Sequence, residues 1–237
     1  MIKKLLLVLS GFALSQGDIH SAQASEVTEM KEKLDTLTEE VSILKHRLQQ
    51  AEDYIAISNL QRIYGYYVDK SQADQIADLF SENATLEIAG RGVFVGLKRI
   101  REFMHFLPQL KEGLLFNHMI LQPVIHIAPD GKSAHARCRA FVQVGMLNKS
   151  ATWGEGVYEN EYVKEDGRWK ISKLHFYPTF YNDYYQGWDK PGIPLFQPFE
   201  KLPPDLPPTE VYESYPGVYI PPYHYDNPVS GREYHPD

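Results

Sequence analysis

The chain has a single cysteine, Cys138, among its 237 residues. One thiol cannot close an intramolecular disulfide or supply a cysteine metal cluster, so the hydrophobic core alone must stabilise the fold. The nine histidines form no His-x-His or His-x-x-x-His pair, and no carboxylate cluster stands at ligand spacing, so we expect no metal site. The sequence also lacks a glycine-rich phosphate loop and a Gly-x-Ser-x-Gly motif, and we expect no cofactor.

Positive charge is scarce as well. The chain carries 24 Lys and Arg against 31 Asp and Glu, which gives a formal net charge of −7. No basic patch is visible, and this argues against binding of nucleic acid or anionic lipid. Aromatic residues, in contrast, are abundant, with 16 Tyr, 11 Phe and 3 Trp. That content is sufficient for a large core or for a lined cavity.

Residues 1–24 have the pattern of a signal peptide. Lys3 and Lys4 precede a mostly apolar run at residues 5–14, which is shorter than the roughly 20 residues that span a bilayer. Ala22 and Ala24 then form a small-x-small cleavage site. We therefore expect a periplasmic or secreted protein with no membrane span after cleavage. The alternative is an uncleaved N-terminal anchor.

A heptad repeat follows the cleavage site. Its apolar a positions are Val27, Leu34, Val41, Leu48 and Ile55, and its d positions are Met30, Leu37, Leu44 and Ala51. No Pro or Gly interrupts these four heptads, which predicts a coiled-coil helix over residues 25–56 and self-association as a dimer or trimer. The alternative is that the apolar seam packs on the chain's own domain. Helical spacing continues to about residue 70, so this helix should run directly into the domain.

Residues 54–185 are predicted to form one α+β domain. After its first helix, the pattern indicates helices at residues 73–80 and 97–107, a strand at 84–88 pairing with 93–95, and long strands at about 114–128, 133–147, 151–164 and 169–179. Two Asp-Gly pairs mark hairpin turns. The expected architecture is a cone-shaped barrel of a strongly bent, mainly antiparallel sheet packed on three helices, with a small pocket between the sheet and the helices.

Four segments resemble the SnoaL-like branch of the nuclear transport factor 2-like superfamily, which has a scytalone dehydratase/ketosteroid isomerase-like fold. The resembling segments are residues 63–69 (IYGYYVD), 77–80 (ADLF), 117–120 (NHMI) and 167–171 (GRWKI), within a stretch covering about residues 52–182. The resemblance implies a cofactor-independent lyase, dehydratase or isomerase acting on a small aromatic or polyketide-like molecule. Because the superfamily also includes proteins without catalysis, a ligand-binding or purely structural oligomer is the alternative.

The similarity to scytalone dehydratase implies a candidate site. That family has a Tyr-Asp-type site late in its first helix and a histidine near the start of the third strand, and Asp69, with Tyr67 nearby, and His118 occupy similar places. The family's second catalytic histidine has no counterpart around residues 136–138. The absence of this second histidine puts dehydration of the same substrate in question. His175, on the last strand, could supply a base from another direction.

Asp69 ends a largely apolar helix face where the cone should open. Burial there would raise the pKa of its carboxyl group, and it could pair with His118. Such a pair would abstract a proton next to a carbonyl group or an aromatic ring. Tyr64 or Tyr67, three residues apart on one helix face, would donate a hydrogen bond to the substrate oxygen. The alternatives are solvent exposure for Asp69 and core packing for His118 and both tyrosines.

The C-terminal extension, residues 186–237, is rich in proline and tyrosine. Residues 189–237 hold 12 of the 16 prolines and tyrosines at positions 212, 215, 219, 223, 225 and 234. Such proline density predicts an extended, polyproline-like chain. The tyrosines favour an ordered strap over the domain or a neighbour, because a disordered tail normally lacks aromatic residues. A flexible tail is the alternative.

Overall fold

The computed structural model describes residues 16–234. The charged and apolar parts of the expected signal peptide, residues 3–14, lie outside the described residues. Helix α1 covers Gln16–Asp69, and its end at Asp69 agrees with the helical spacing predicted to about residue 70. In residues 16–234, no helix combines the length and the apolarity that crossing a membrane requires.

The chain divides into two compact units between Gln49 and Gln50. The first unit is the N-terminal part of α1, and the apolar side chains of the heptad seam are exposed along it. Their exposed fractions are Val27 60%, Met30 62%, Leu34 62%, Leu37 57%, Val41 47%, Leu44 61% and Leu48 60%. A helix with such a seam exposes apolar surface that only another apolar surface can cover.

The second unit contains the remaining elements. They are α2 Ala73–Ala77, β1 Phe80–Ile88, a 3₁₀ segment Ala89–Arg91, β2 Val93–Val95, α3 Leu97–Phe106, β3 Leu114–Ile127, β4 Ser133–Met146, β5 Ser150–Glu165 and β6 Arg168–Asp183. Every strand and helix predicted from the pattern is present. Helix α2 is shorter than expected, because β1 already begins at Phe80, where it pairs with Ile171 of β6.

The six strands form one sheet in the order β2-β1-β6-β5-β4-β3. All neighbouring strands are antiparallel except β1 and β6, which are parallel. The predicted α+β class, with a mainly antiparallel sheet packed on helices, is confirmed. The sheet is mixed and open, with β2 and β3 at its edges. It therefore does not close into the barrel that the sequence pattern predicted.

Buried polar contacts fix α1 to the sheet. Asp53 Oδ1 accepts hydrogen bonds from Lys164 Nζ at 2.7 Å and from Trp169 Nε1 at 2.8 Å. Farther along the helix, Gln61 Oε1 accepts from Tyr162 Oη at 2.7 Å and from Asn160 Nδ2 at 3.0 Å. These bonds satisfy polar groups that burial would otherwise penalise, and they set the position of α1 at the point where it approaches β3.

The C-terminal strap, residues 186–234, belongs to the second unit and packs on it without forming a helix or strand. Asp205 Oδ1 accepts from Arg99 Nε at 2.8 Å, and the backbone N–H of Tyr215 donates to the carbonyl oxygen of Thr179 at 2.7 Å. Thr209 binds the Glu87 carboxylate through both its N–H and its hydroxyl, each at 2.8 Å. The C-terminal extension is therefore a strap over its own domain, the arrangement that its tyrosines favoured over a flexible tail.

Candidate active site

A cavity of about 230 Å³ lies between the helices and the sheet. Its wall is mostly apolar, and the polar side chains that line it are Tyr64, Arg91, His118, Thr152, Tyr158 and Tyr181. A cavity of about 150 Å³ holds benzene, and drug-sized ligands use pockets of about 300–1,000 Å³. The volume therefore suits a molecule of about one ring with small substituents.

The strap forms part of the cavity wall. Ile193 and Phe196 line the cavity together with residues of the sheet and helices. The backbone N–H of Ile193 donates to the carbonyl oxygen of Tyr181 at 2.6 Å, which ties this part of the strap to β6. The C-terminal extension is therefore a component of the site as well as a cover for the sheet.

His118 is a titratable group in an unusual environment of the cavity. It is buried on β3, and its Nε2 lies 2.7 Å from the hydroxyl of Tyr158. Burial lowers the pKa of the imidazole from its ordinary 6.5 to about 4. The ring is therefore neutral at pH 7 and has a lone pair available to accept a proton. Its Nδ1 is buried without a hydrogen-bond partner in the part of the chain that the structure describes.

Two tyrosines surround this histidine. The ring of Tyr64 meets those of His118 and Tyr158 edge-on, with centroids 6.1 Å and 6.0 Å apart. Burial raises the pKa of Tyr64 to about 12, and it raises that of Tyr158 well above its ordinary value. Both hydroxyls therefore stay protonated at neutral pH and can donate hydrogen bonds into an apolar space, where such bonds are strong.

Asp69, the last residue of α1, contacts His118 through the main chain. Its Oδ1 accepts a hydrogen bond from the backbone N–H of His118 at 2.5 Å. Burial raises the pKa of the carboxyl group, and this N–H and nearby Lys70 oppose the rise. The half-buried carboxylate lies in a separate depression beside Arg62 and Tyr66. The expected neighbours are thus brought together, but the carboxylate binds the strand backbone and not the imidazole.

Gly65 permits this close contact between α1 and β3. A Cβ atom at position 65 would lie 2.7 Å from the carbonyl oxygen of His118 and 3.0 Å from Cγ1 of Ile120. The first of these is a backbone atom of a paired strand, so it cannot move without displacing the strand. Gly65 therefore sets the distance at which Asp69 can reach the N–H of His118.

We expect Gly65→Ala to lower the free energy of unfolding by about 1–3 kcal/mol, because overpacking against β3 outweighs the higher helix propensity of alanine. Urea unfolding followed by tryptophan fluorescence measures the change. Asn59→Ala, at an exposed position of the same helix, is the matched control and should not lower the stability, since alanine is the better helix former. A Gly65→Ala protein as stable as the control would contradict the tight contact.

The other two candidates lie away from the cavity. Tyr67 is half-buried and packs against the hydrophobic core, and it is not part of the cavity wall. Phe176 lines the cavity, so His175, its neighbour on β6, faces the opposite side of the sheet. There His175 stacks on Tyr177 with centroids 3.8 Å apart, and its Nε2 lies 3.6 Å from Glu87 Oε1. Strand alternation thus removes His175 from the cavity.

A known family model matches most of the second unit up to β6. The profile of the SnoaL-like domain matches residues 49–175, more than half of the chain. The chain belongs to the SnoaL-like domain family. The matched segment contains the part of α1 that belongs to the second unit, the turn with Arg91, and the strands that carry His118 and Tyr158. No curated protein sequence matches the chain significantly.

Solved structures share the fold of the SnoaL-like domain. A protein of Novosphingobium aromaticivorans, provisionally assigned as a scytalone dehydratase, is 18% identical with a TM-score of 0.53, over 64% of this chain and 96% of that one. A hexachlorocyclohexane dehydrochlorinase of Novosphingobium barchaimii is also 18% identical, with a TM-score of 0.52, over 61% of this chain and 99% of that one. At such identities the likeness shows the fold alone.

Sequence reasoning missed two residues of the SnoaL-like cavity. Tyr158 stands on β5 opposite Cys138 and Phe176, and its pairing with His118 depends on a register that no local pattern reveals. For Arg91 the sequence indicates only a turn between β1 and β2. A lone arginine between two glycines, next to a buried strand, was the available signal.

In residues 16–234, no group of three or more His, Cys, Asp or Glu side chains is arranged to hold a metal ion.

Proposed function

We propose that this SnoaL-like protein is a cofactor-independent lyase, of dehydratase type, or an isomerase, with a small aromatic or polyketide-like molecule as its substrate. The observation that supports this most is the neutral His118 imidazole, hydrogen-bonded to Tyr158 at 2.7 Å in the wall of an apolar cavity. The names of two structural neighbours, a dehydratase and a dehydrochlorinase, denote eliminations and are consistent with such chemistry.

The proposed reaction begins with proton transfer to His118. Nδ1, the ring nitrogen without a partner among the described residues, accepts a proton from a substrate carbon next to a carbonyl group or aromatic ring, while Nε2–H donates to the Tyr158 oxygen. The C–H electron pair moves onto the substrate oxygen. The hydroxyls of Tyr64 and Tyr158 donate hydrogen bonds to that oxygen. The electron pair then returns in one of two ways. It expels a leaving group from the adjacent carbon, which departs with the proton held by His118 and completes an elimination, or it takes that proton at another carbon, which completes an isomerisation.

The experiment that tests this function is proton exchange in D₂O. The mature protein is incubated with single-ring ketones and β-hydroxy ketones, and ¹H NMR follows loss of the C–H signal and formation of an alkene. Catalysed exchange or elimination, above the rate with buffer alone, supports the proposal. If no compound exchanges although NMR shows that some bind in the cavity, the non-catalytic ligand-binding module is the better reading.

We propose that Asp69 acts by positioning β3 and not by proton transfer. Asp69→Asn keeps an oxygen that can accept the His118 N–H, so activity should stay within a few-fold of the wild type. Asp69→Ala removes the acceptor and should lower kcat/KM by about 10–100-fold, as expected for loss of one buried hydrogen bond. Steady-state kinetics of both variants distinguish the roles. If Asn is as damaging as Ala, the carboxylate charge itself is required.

We also propose that the protein is exported and assembles through its heptad seam as a dimer or trimer. The seven apolar seam residues of the first unit are exposed in the single chain, and a partner helix would cover them. Cleavage after Ala24 would give a mature chain that begins at Ser25. Intact-mass measurement of the protein recovered from the periplasm or medium tests this, and a retained N-terminus would contradict cleavage.

Disruption of the seam should give monomers. We expect Leu37→Asp with Leu44→Asp to reduce the assembly to a single chain at micromolar concentration, because two buried charges per helix are strongly unfavourable. Light scattering coupled to size-exclusion chromatography measures the mass. The control places the same charges outside the seam, as Thr36→Asp with Ser42→Asp, and should keep the wild-type mass. A wild-type chain that is already monomeric would refute the proposal.

A further inference from the structure

Arg91 is a positively charged side chain built into the apolar cavity. It ends the 3₁₀ segment that follows β1, and it lines the cavity together with His118. Its guanidinium carbon lies 4.2 Å from the ring centroid of Phe196 and 4.5 Å from that of Phe199, both in the strap. These cation–π contacts hold the group in place by its faces. The N–H edge of the guanidinium has no hydrogen-bond acceptor in the described part of the chain.

No carboxylate within residues 16–234 balances this charge. Among the residues that the structure describes, Arg91 makes no ion pair or hydrogen bond, and its Nε is buried without a partner. Other arginines are paired: Arg137 binds Glu159, and Arg99 binds Glu102 and Asp205. Burial lowers the pKa of Arg91 to about 10, so it remains charged at neutral pH. A charge with a buried N–H in an apolar cavity is normally paired, so the missing partner points to a ligand.

We propose that Arg91 is the anion-binding group of the cavity and that the ligand is a small single-ring molecule bearing a carboxylate. The planar guanidinium edge matches a carboxylate, and charge-assisted bonds in an apolar environment are strong. The cavity volume limits the apolar part to about one ring. The inference rests on the proposed function in one respect, since it names the class of substrate that His118 would act on.

The test compares two ligands of the same shape and different charge. Isothermal titration calorimetry measures the binding of benzoate and of benzamide to the mature full-length protein. We expect benzoate to bind about tenfold or more tightly than benzamide, as one charge-assisted contact predicts. Arg91→Met should remove this preference by weakening benzoate while leaving benzamide nearly unchanged. Arg91→Lys, which keeps the charge but lacks the planar guanidinium edge, should keep part of the preference for benzoate.

A surface arginine gives the control. Arg168 is exposed at the start of β6, and Arg168→Met should keep the wild-type preference, which excludes a general effect of net charge. The inference is overturned if the wild type binds benzoate no more tightly than benzamide, if it fails to bind benzoate at millimolar concentration, or if Arg91→Met keeps the preference. The wild-type comparison needs no variant, so a poorly folded Arg91→Met protein cannot leave the question open.

Failure of this inference is distinguishable from failure of the proposed function. Benzoate binding is measured at equilibrium and involves no turnover. If the protein prefers benzoate but catalyses no proton exchange, the anion site stands and the acid–base function fails. If the protein turns over neutral ketones but shows no preference for benzoate, the function stands and Arg91 serves to hold the strap.

Discussion

His118→Gln should lower the turnover of any substrate found by proton exchange by about 10²–10⁴-fold, the usual contribution of a general base. Glutamine keeps a polar group of similar length near Tyr158 but cannot accept a proton. Because substrate binding depends on the cavity wall as a whole, KM should change much less than kcat. Steady-state kinetics with the substrate identified in D₂O provide the measurement.

The matched control for this variant is His46→Gln, on the exposed surface of α1 in the first unit. It should have wild-type kcat and KM. Circular dichroism should show that the His118→Gln protein is folded. Turnover that survives His118→Gln at the wild-type level would contradict the assignment of His118 as the base, whatever the reaction proves to be.

Acid should destabilise the second unit by several kcal/mol, because two imidazoles are buried in the neutral form. Burial lowers the pKa of His118 to about 4 and that of His175 to about 3, whereas both have 6.5 as their ordinary value. Below pH 6.5 the unfolded chain therefore binds protons that the folded protein does not, and the free energy of unfolding falls as pH falls. His118 alone accounts for a loss of about 3 kcal/mol by pH 4.

Two carboxyl groups act in the opposite direction. The pKa values of Asp69 and Glu210 are raised, first of all by burial, so the folded state binds their protons more readily. Both side chains are only half-buried, and solvent screening reduces their effect. The histidines should therefore dominate the pH dependence between about pH 6.5 and pH 4.

Urea unfolding at a series of pH values measures this loss. The three tryptophans, Trp153, Trp169 and Trp188, all lie in the second unit, so their fluorescence reports on that unit alone. His118→Gln should flatten the pH dependence, because it removes one buried titrating group, and His46→Gln should leave it unchanged. A free energy of unfolding that is constant from about pH 7 to pH 5 would contradict the buried neutral state of both histidines.

The fold of the second unit could be predicted closely because its signals are local. Apolar periodicity located the end of α1, α3 and the long strands to within a few residues, whereas α1 begins nine residues before the predicted start at residue 25. Asp-Gly pairs located the hairpin turns that follow β3 and β5. The parallel pairing of β1 with β6 could not be found in this way. These strands are separated by the whole of β2 to β5, and no local pattern records which distant strand a given strand joins.

The site was predicted in part. That Asp69 and His118 lie next to each other was expected from the resemblance to scytalone dehydratase, and they are in contact. The direction of the imidazole was not predictable, since it depends on the Tyr158 hydroxyl, which β5 brings from 40 residues away. His175 and Phe176 are adjacent in sequence, yet only the sheet's packing decides which of them faces the cavity.

The sequence by itself determined the elements: one long heptad-patterned helix, an α+β domain with a SnoaL-like signature, and a proline- and tyrosine-rich end without helix or strand. Periodicity, turn residues and proline density encode these features within short windows of the chain. Only the tertiary structure decided that the strap completes the cavity wall, that Asp69 binds a backbone amide, and that Arg91 has no carboxylate partner among the described residues. Each of these depends on atoms brought together across long sequence separations, where burial sets the charge state and hydrogen bonding of every group.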